Sequence, residues 1–237
     1  MSVIELWVYL STSPLLWLTA TLGAYVIADR LSQKLNRNPL ANPVLIAVLL
    51  LMALLKISDT PFPVYFEGAQ FVHFMLGPAT VALAIPLVEN LAEVKRNLVP
   101  MLAALAVGSA TAVSSAVAIA WALGADNTLI ASIAPKSVTT PIAMGISERL
   151  GGLPAVTAIL VILTGIIGAV IVTPIMNRIG VRDWAARGFA AGVSAHGIGT
   201  ARAFLVNPVA GTFAGIGMGL NGVITALILG LAVAFLA

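Results

Sequence analysis

A polar stretch flanked by two prolines interrupts an apolar segment in the second half of the chain. Residues 134–141 read Ala-Pro-Lys-Ser-Val-Thr-Thr-Pro within a run that is otherwise apolar enough to cross a bilayer. Pro141 has no N–H to donate to the carbonyl of Ser137, and Pro135 favours an extended conformation at Ala134. These residues therefore predict a helix broken between the two prolines. At membrane depth such a break is tolerated only where protein buries it or where it lines a wet cavity.

The restart of this helix predicts the charge that the break attracts. Pro141 suits the first helical position, with Thr139 or Thr140 as the capping residue. A helix that begins here directs the partial positive charge of its N-terminus at the gap, where Lys136 supplies a full positive charge. We therefore expect the gap to attract an anion.

The composition indicates a polytopic membrane protein. Of the 237 residues 60% are hydrophobic and 9% are charged, and the mean hydropathy is +1.06, which leaves too little polar surface for a soluble globule. The N-terminus lacks the features of a cleaved signal peptide, so the first apolar run is interpreted as a retained span. The net charge of +3 comes from basic residues scattered through loops, which favours topology signals over nucleic-acid binding. Without cysteine the chain can form neither disulfides nor thiolate metal sites.

Apolar runs of about 20 residues, the length that crosses the hydrocarbon layer, alternate with segments interrupted by proline or glycine. In the first interrupted segment Gly77 and Pro78 predict a break, and Pro86 frees the carbonyl of Ala82. In the last one the predicted interruption covers residues 195–202. The predicted continuous spans are residues 6–28, 43–57, 98–123, 153–176 and 213–237, and the predicted broken elements are residues 60–90, 129–147 and 184–204.

The order of these segments predicts an internal repeat. Residues 1–123 and 124–237 each read span, span, broken element, span, although the first member of the second half is itself broken. Gly77-x-x-Thr80 and Gly197-x-x-Thr200 occupy equivalent places. The predicted fold is therefore an all-α polytopic membrane protein with two inverted repeats. Its discontinuous or re-entrant helices meet near the midplane, as in secondary transporters.

Charge counting supports the inversion. If the broken elements do not cross fully, the loops at residues 29–42 and 177–188, both rich in arginine, fall on the same side of the membrane. The positive-inside rule places that side in the cytoplasm and both termini on the external side.

The candidate binding residues cluster at the breaks. Lys136 is expected to face an interior pathway, because a cation exposed to lipid is costly; the alternative is an internal salt bridge. His196 precedes two glycines and is interpreted either as a proton relay or as a hydrogen-bonded core residue. The hydroxyl residues bind substrate or merely cap helices. The candidate substrate-binding residues are Gly77, Thr80, Lys136, Ser137, Thr139, Thr140, His196, Gly197, Gly199, Thr200 and Arg202, and the helix-breaking residues are Pro78, Pro86, Pro135 and Pro141.

Motifs for catalysis are missing from the sequence. Gly197-x-Gly199 follows no predicted strand, so a dinucleotide loop is rejected. The sequence has no phosphate-binding lysine motif, no paired intramembrane carboxylates and no ligand set with metal spacing. We therefore expect neither enzyme activity nor a cofactor. The glycines at 215, 217 and 219, with Asn221, predict a packing face for another helix.

Several of these stretches resemble one known family, the LrgB/CidB family of antiholin-like regulators of murein hydrolase export, which is related to the plastid glycolate/glycerate translocator. The resemblance covers nearly the whole chain. One departure follows Arg202: family members tend to carry an acidic residue or two before Val209, and this chain has Asn207-Pro208, which removes a partner for the arginine. The matching stretches are residues 68–71, 76–84, 135–143, 163–165 and 196–203.

The resemblance implies a multi-pass protein of the bacterial inner membrane that acts with a small holin-like partner of the LrgA/CidA type. It also implies a role in autolysis and cell-wall turnover and, through the plastid and pyruvate-uptake relatives, transport of small monocarboxylates. The first hypothesis is a proton-coupled transporter of pyruvate, glycolate or glycerate. The second is a regulator that controls a holin-like pore without transport, and the third is a passive channel. Alanine-rich spans are compatible with a homodimer.

Overall fold

The regular structure is helical throughout the residues that the computed structural model describes, 13–82 and 84–236. This confirms the predicted all-α fold class. The chain separates into two compact units, Met1–Ala84 and Ile85–Ala237; the repeats at residues 1–123 and 124–237 stay a prediction. The helices are α1 (Pro14–Lys34), α2 (Pro43–Ile57), α3 (Phe62–Ala82), α4 (Ala84–Glu89), α5 (Leu91–Arg96), α6 (Leu98–Ala122), α7 (Asn127–Ile133), α8 (Thr140–Arg149), α9 (Pro154–Arg178), α10 (Trp184–Val206) and α11 (Pro208–Leu236).

In the first unit, α1 and α3 approach each other through a glycine. A Cβ atom on Gly68 would lie 2.2 Å from the carbonyl oxygen of Pro14, so only glycine fits at this position. Beside it the buried ring of Trp17 packs edge-on against Tyr65, with centroids 6.0 Å apart. The Thr21 hydroxyl donates to the Tyr65 oxygen at 3.2 Å. Aromatic packing and one polar contact thus join the two helices.

The basic connection after α1 is shorter than predicted, because the helix continues to Lys34 instead of ending at Ala28. Asp29 accepts hydrogen bonds from Arg37 and from Gln33, the latter at 2.7 Å. The Arg37 bond lowers the pKa of the Asp29 carboxyl. Residues 1–12 of the predicted first span lie outside the described residues.

The predicted break at Gly77 and Pro78 is wrong in its position. Helix α3 continues through both residues and through Thr80 to Ala82. An internal proline removes only the hydrogen bond to the carbonyl four residues earlier, and membrane helices tolerate this where other groups satisfy the carbonyl. Pro86 lies in the first turn of α4, which begins at Ala84, and its role as a helix breaker stays a prediction.

Three helices of the second unit are long and apolar enough to cross a membrane: α6, α9 and residues 208–230 of α11. They correspond to three predicted spans and support a polytopic membrane protein. The last helix begins at Pro208, earlier than predicted, because the Asn207 side chain caps it by accepting the backbone N–H of Val209 at 2.9 Å.

Helices α7 and α8 form a helical hairpin, called hairpin 1 (residues 127–149), whose tip is residues 134–139. The Thr157 hydroxyl of α9 lies 3.0 Å from the Ser132 carbonyl and 2.7 Å from the Ser147 hydroxyl. In a continuous helix Ser132 and Ser147 would be about 22 Å apart. The arms contain 7 and 10 residues, and they reach only about halfway across a hydrocarbon core of about 30 Å.

Helix α10 is also folded back on itself, and it is called hairpin 2 (residues 184–206). Its backbone leaves the helical region at Ala195 and His196, where His196 has φ 40° and ψ −134°. Trp184 and Val206 line one cavity of about 30 Å³, although a continuous helix would hold them about 33 Å apart. Each arm is again about half the thickness of the hydrocarbon layer. Both broken elements of the second unit therefore fold back as hairpins.

Hairpin 2 packs closely on α11 through small residues. Cβ atoms on Gly188 and Gly192 would lie 2.0 and 1.9 Å from the carbonyl oxygens of Ala210 and Ala214. Glycines spaced by four residues allow this backbone approach, as is common between membrane helices.

Candidate functional site

The tips of the two hairpins meet at one side chain, Asn221 of α11. Its Nδ2 donates to the carbonyl of Ser137 in hairpin 1 at 3.1 Å and to the carbonyl of Val193 in hairpin 2 at 3.0 Å. The two carbonyl oxygens are thus within about 6 Å of each other. Asn221 is 1% exposed and lies near the middle of its span.

Both carbonyls are free because their helices are broken. Pro141 has no N–H to donate to Ser137. The non-helical backbone at Ala195 and His196 removes the regular partner of Val193. The sequence thus predicted the freed carbonyl of Ser137, and the structure supplies its partner.

Positive charge gathers at the tip of hairpin 1. Helix α8 begins at Thr140 with Thr139 as its N-cap residue, and the Thr139 hydroxyl makes no capping hydrogen bond. The half-buried Lys136 donates from Nζ to the Ser137 hydroxyl at 3.3 Å. The structure therefore places Lys136, Ser137, Thr139 and Thr140 together at this tip, and Asn221 joins the tip to hairpin 2. Their role in binding an anion stays a prediction.

His196 is fixed against α9. Its Nε2 donates to the carbonyl of Val161 at 2.9 Å. A Cβ atom on Gly165 would lie 2.6 Å from Cε1 of the ring, so glycine at this position makes room for the imidazole. Val161 also packs with Val138 of the hairpin 1 tip. One turn of α9 thus contacts both tips.

Within the predicted interruption at residues 195–202, the helix restarts before Thr200. The second arm begins at Gly197, directly after the non-helical His196, and the Thr200 hydroxyl donates back to the His196 carbonyl at 2.8 Å. A Cβ atom on Gly199 would lie 2.7 Å from the Ala191 carbonyl oxygen, so this glycine serves the packing of the two arms. Gly197 lies at the tip itself, with Met218 as its nearest neighbour.

Arg202 is not brought into the tip site. It is buried and lines the small cavity beside Trp184 and Arg187, toward the base of hairpin 2. Gly77 and Thr80 belong to α3 of the first unit, and their binding role stays a prediction.

A larger cavity leads from one end of the second unit toward the tip of hairpin 2. It has a volume of about 500 Å³ and lies between α6 and the first arm of α10. Asn97 and Asp183 line one end, and Val193 and Ser194 line the end beside the tip. Most of its lining is apolar. The described residues contain no group of three or more potential metal ligands.

Sequence reasoning missed Asn221, which was assigned to a helix-packing face. Only part of that face packs as predicted: a Cβ atom on Gly217 would lie 2.7 Å from the Phe189 carbonyl oxygen, whereas Gly219 has no neighbour within 4 Å. The available signal was a lone amide inside an apolar span, because such groups usually hydrogen-bond between membrane helices.

The chain matches the model of the LrgB-like family over residues 21–235. It is 40% identical over 205 residues to the uncharacterized protein YwbG of Bacillus subtilis, covering 86% of this chain and 91% of that protein. An uncharacterized protein of Haemophilus influenzae is 33% identical, with 88% and 90% covered. No solved structure matches the chain.

A further relative carries a descriptive name. The antiholin-like protein LrgB of Bacillus mycoides is 31% identical over 217 residues, which cover 92% of this chain and 94% of that protein. The family model spans most of the sequence, including the three helices of the described residues that are long and apolar enough to cross a membrane. The chain therefore belongs to the LrgB-like family.

Proposed function

We propose that this chain is a secondary transporter that moves a small monocarboxylate, of the pyruvate, glycolate or glycerate class, by alternating access. The observation that carries the proposal is the meeting of two re-entrant hairpin tips at Asn221, beside Lys136. Broken helices that converge at mid-membrane are the usual form of a transporter site. In this proposal the chain is not an enzyme.

The substrate carboxylate binds between Lys136 and the N-terminal ends of the second arms, at Thr140 and Gly197. The hydroxyls of Ser137 and Thr139 bind the keto or hydroxyl oxygen of the substrate. Moving an anion against a negative interior costs about 2.3 kcal/mol per 100 mV, so a coupled proton is favourable. His196, whose ring donates to the Val161 carbonyl, is the candidate carrier of that proton.

We propose a membrane topology for the second unit from its two hairpins. Because α9 crosses between them, hairpin 1 and hairpin 2 enter from opposite faces. Arg178 and Arg182 then lie on the same face as Lys95 and Arg96. The positive-inside rule makes that face cytoplasmic and the C-terminus external. We place the protein in the bacterial inner membrane.

Uptake of radiolabelled pyruvate and glycolate into proteoliposomes tests the transport function. We expect saturable uptake, and we expect Lys136→Ala to lower it by about tenfold or more, because the substrate loses a charge-assisted bond in a desolvated site. Lys95→Ala is the matched control, since Lys95 lies on α5 outside the hairpins and should retain uptake. Well-folded protein that takes up neither compound, alone or with its partner, would contradict the proposal.

A second candidate function is regulation of murein hydrolase export and autolysis through a small holin-like membrane protein of the LrgA/CidA type. The name of the Bacillus mycoides relative, antiholin-like, favours this function more directly than it favours transport. Regulation predicts that Lys136→Ala leaves control of autolysis and binding of the partner intact. Loss of uptake with intact partner binding would instead support transport. A homodimer is proposed only from the small residues on the spans.

A further inference from the structure

We propose that Asn221 is the positioning residue of the anion site, an amide that holds the two hairpin tips together so that their positive ends face one substrate. This inference rests on the transport function proposed above and deepens it. It concerns a side chain that contacts the tips rather than the substrate.

The orientation of the amide follows from its neighbours. The carbonyls of Ser137 and Val193 can only accept hydrogen bonds, so the nitrogen of Asn221 must face them. On its other side, Oδ1 accepts from the hydroxyls of Ser109 at 2.5 Å and Thr225 at 3.3 Å. All four neighbours are therefore satisfied by one orientation, and Ser109 of α6 fixes it.

Through these contacts the Asn221 amide bonds to the acceptor carbonyls of the two tips, so the donor groups of the tips stay available to the substrate. Without Asn221, the freed carbonyl of Ser137 would compete with a bound anion for the positive charge of Lys136. The amide neutralises this carbonyl and that of Val193. Lys136 and the start of α8 then remain available to the carboxylate.

The amide of Asn221 joins both tips within one side chain. Thr157 secures the arms of hairpin 1 below its tip, and Val161 secures His196. Loss of the Thr157 hydroxyl would loosen one hairpin. Loss of Asn221 lets the two tips separate, and the site then loses its geometry while the helices stay folded.

The first test measures the tips directly and needs no transport. The chain has no cysteine, so Thr139→Cys supplies one maleimide-reactive thiol at the tip of hairpin 1. We expect Asn221→Asp, which replaces the donor with an acceptor, to raise its labelling rate by about tenfold. The control is Thr212→Val on the same helix, since the buried Thr212 hydroxyl only bonds back to Pro208 at 3.0 Å. Equal rates in the two variants would overturn the proposal.

The second test separates positioning from a merely structural role. Per monodisperse, correctly folded protein, Asn221→Asp should raise the apparent KM for pyruvate by about tenfold and lower the maximal rate much less. A fall in maximal rate alone, with unchanged KM, would refute positioning. If the wild-type chain takes up nothing, transport fails while the labelling test still decides the role of Asn221.

A milder variant keeps the inference testable if Asn221→Asp does not fold. Ser109→Ala leaves the amide in place and removes the donor that orients its oxygen. We expect a smaller rise in the Thr139→Cys labelling rate and in KM, both above the values for Thr212→Val. No change in either quantity would overturn the proposal.

Discussion

At the scale of single residues, the second unit is built around backbone groups that its helix breaks leave without partners. Asn221 donates to two such carbonyls, those of Ser137 and Val193. The His196 ring, which stands at a break itself, donates to the Val161 carbonyl within the unbroken α9. In a bilayer an unsatisfied backbone group costs several kcal/mol, roughly, so each partner is as important as the break itself. Pro141 predicts the freed carbonyl of Ser137 from local chemistry. Its partner lies far along the chain, and no local pattern predicts that pairing.

Gly165, which makes room for the imidazole of His196, gives a prediction at the scale of single residues. Gly165→Ala would place Cβ 2.6 Å from Cε1 of the imidazole and 2.8 Å from Cδ1 of Ile198. We expect the ring to leave the Val161 carbonyl and the protein to lose about 1–3 kcal/mol of stability. Thermal unfolding in detergent measures the loss. Gly145→Ala on α8 is the control: its Cβ meets nothing within 4 Å, so the variant should be neutral or slightly stabilised. Equal melting temperatures would contradict the packing of His196.

At the scale of elements, the breaks that the sequence predicts differ in how strongly they are specified. Two prolines around Lys136, with three hydroxyls between them, predict the tip of hairpin 1. A histidine followed by glycines predicts the tip of hairpin 2. Gly77 and Pro78 fail to break α3, because one proline costs one hydrogen bond and the chain has no polar cluster there. Whether a broken element folds back as a hairpin depends on contacts between residues far apart in the sequence, so local sequence patterns do not predict it.

The hydrogen bonds between hairpin 1 and α9 give the prediction at the scale of elements. The fully buried Thr157 hydroxyl contacts both arms, at the Ser132 carbonyl and the Ser147 hydroxyl. Thr157→Val keeps the shape and removes these bonds, and we expect a loss of about 1–3 kcal/mol because the buried groups stay unsatisfied. Thr212→Val removes only a bond within one helix turn and should cost much less. Thermal unfolding of both variants in the same detergent tests this. A smaller loss in Thr157→Val than in Thr212→Val would show that the hairpin is held elsewhere.

At the scale of the whole molecule, membership of the LrgB-like family and the re-entrant hairpins point to different kinds of function. The antiholin-like name belongs to a relative and describes regulation. In the proposed function, the hairpin tips of the second unit form a site for a small anion. Transport and regulation are compatible if the regulatory process responds to uptake of the carboxylate. Either way, hairpins that enter from opposite faces are required for the site, so topology is the property to establish at this scale.

Two exposed residues, one before α9 and one after it, can be used to test the membrane topology of the second unit. Glu148 lies at the end of hairpin 1, and Arg182 lies in the connection to hairpin 2. In the cysteine-free chain, Glu148→Cys should react with an impermeant maleimide on intact cells, whereas Arg182→Cys should react only after permeabilisation. Labelling of both from one face would mean that α9 does not cross, and the hairpins could not meet from opposite faces. Reversed labelling would keep the hairpins opposed and overturn only the orientation, because the arginine-rich face would then be external.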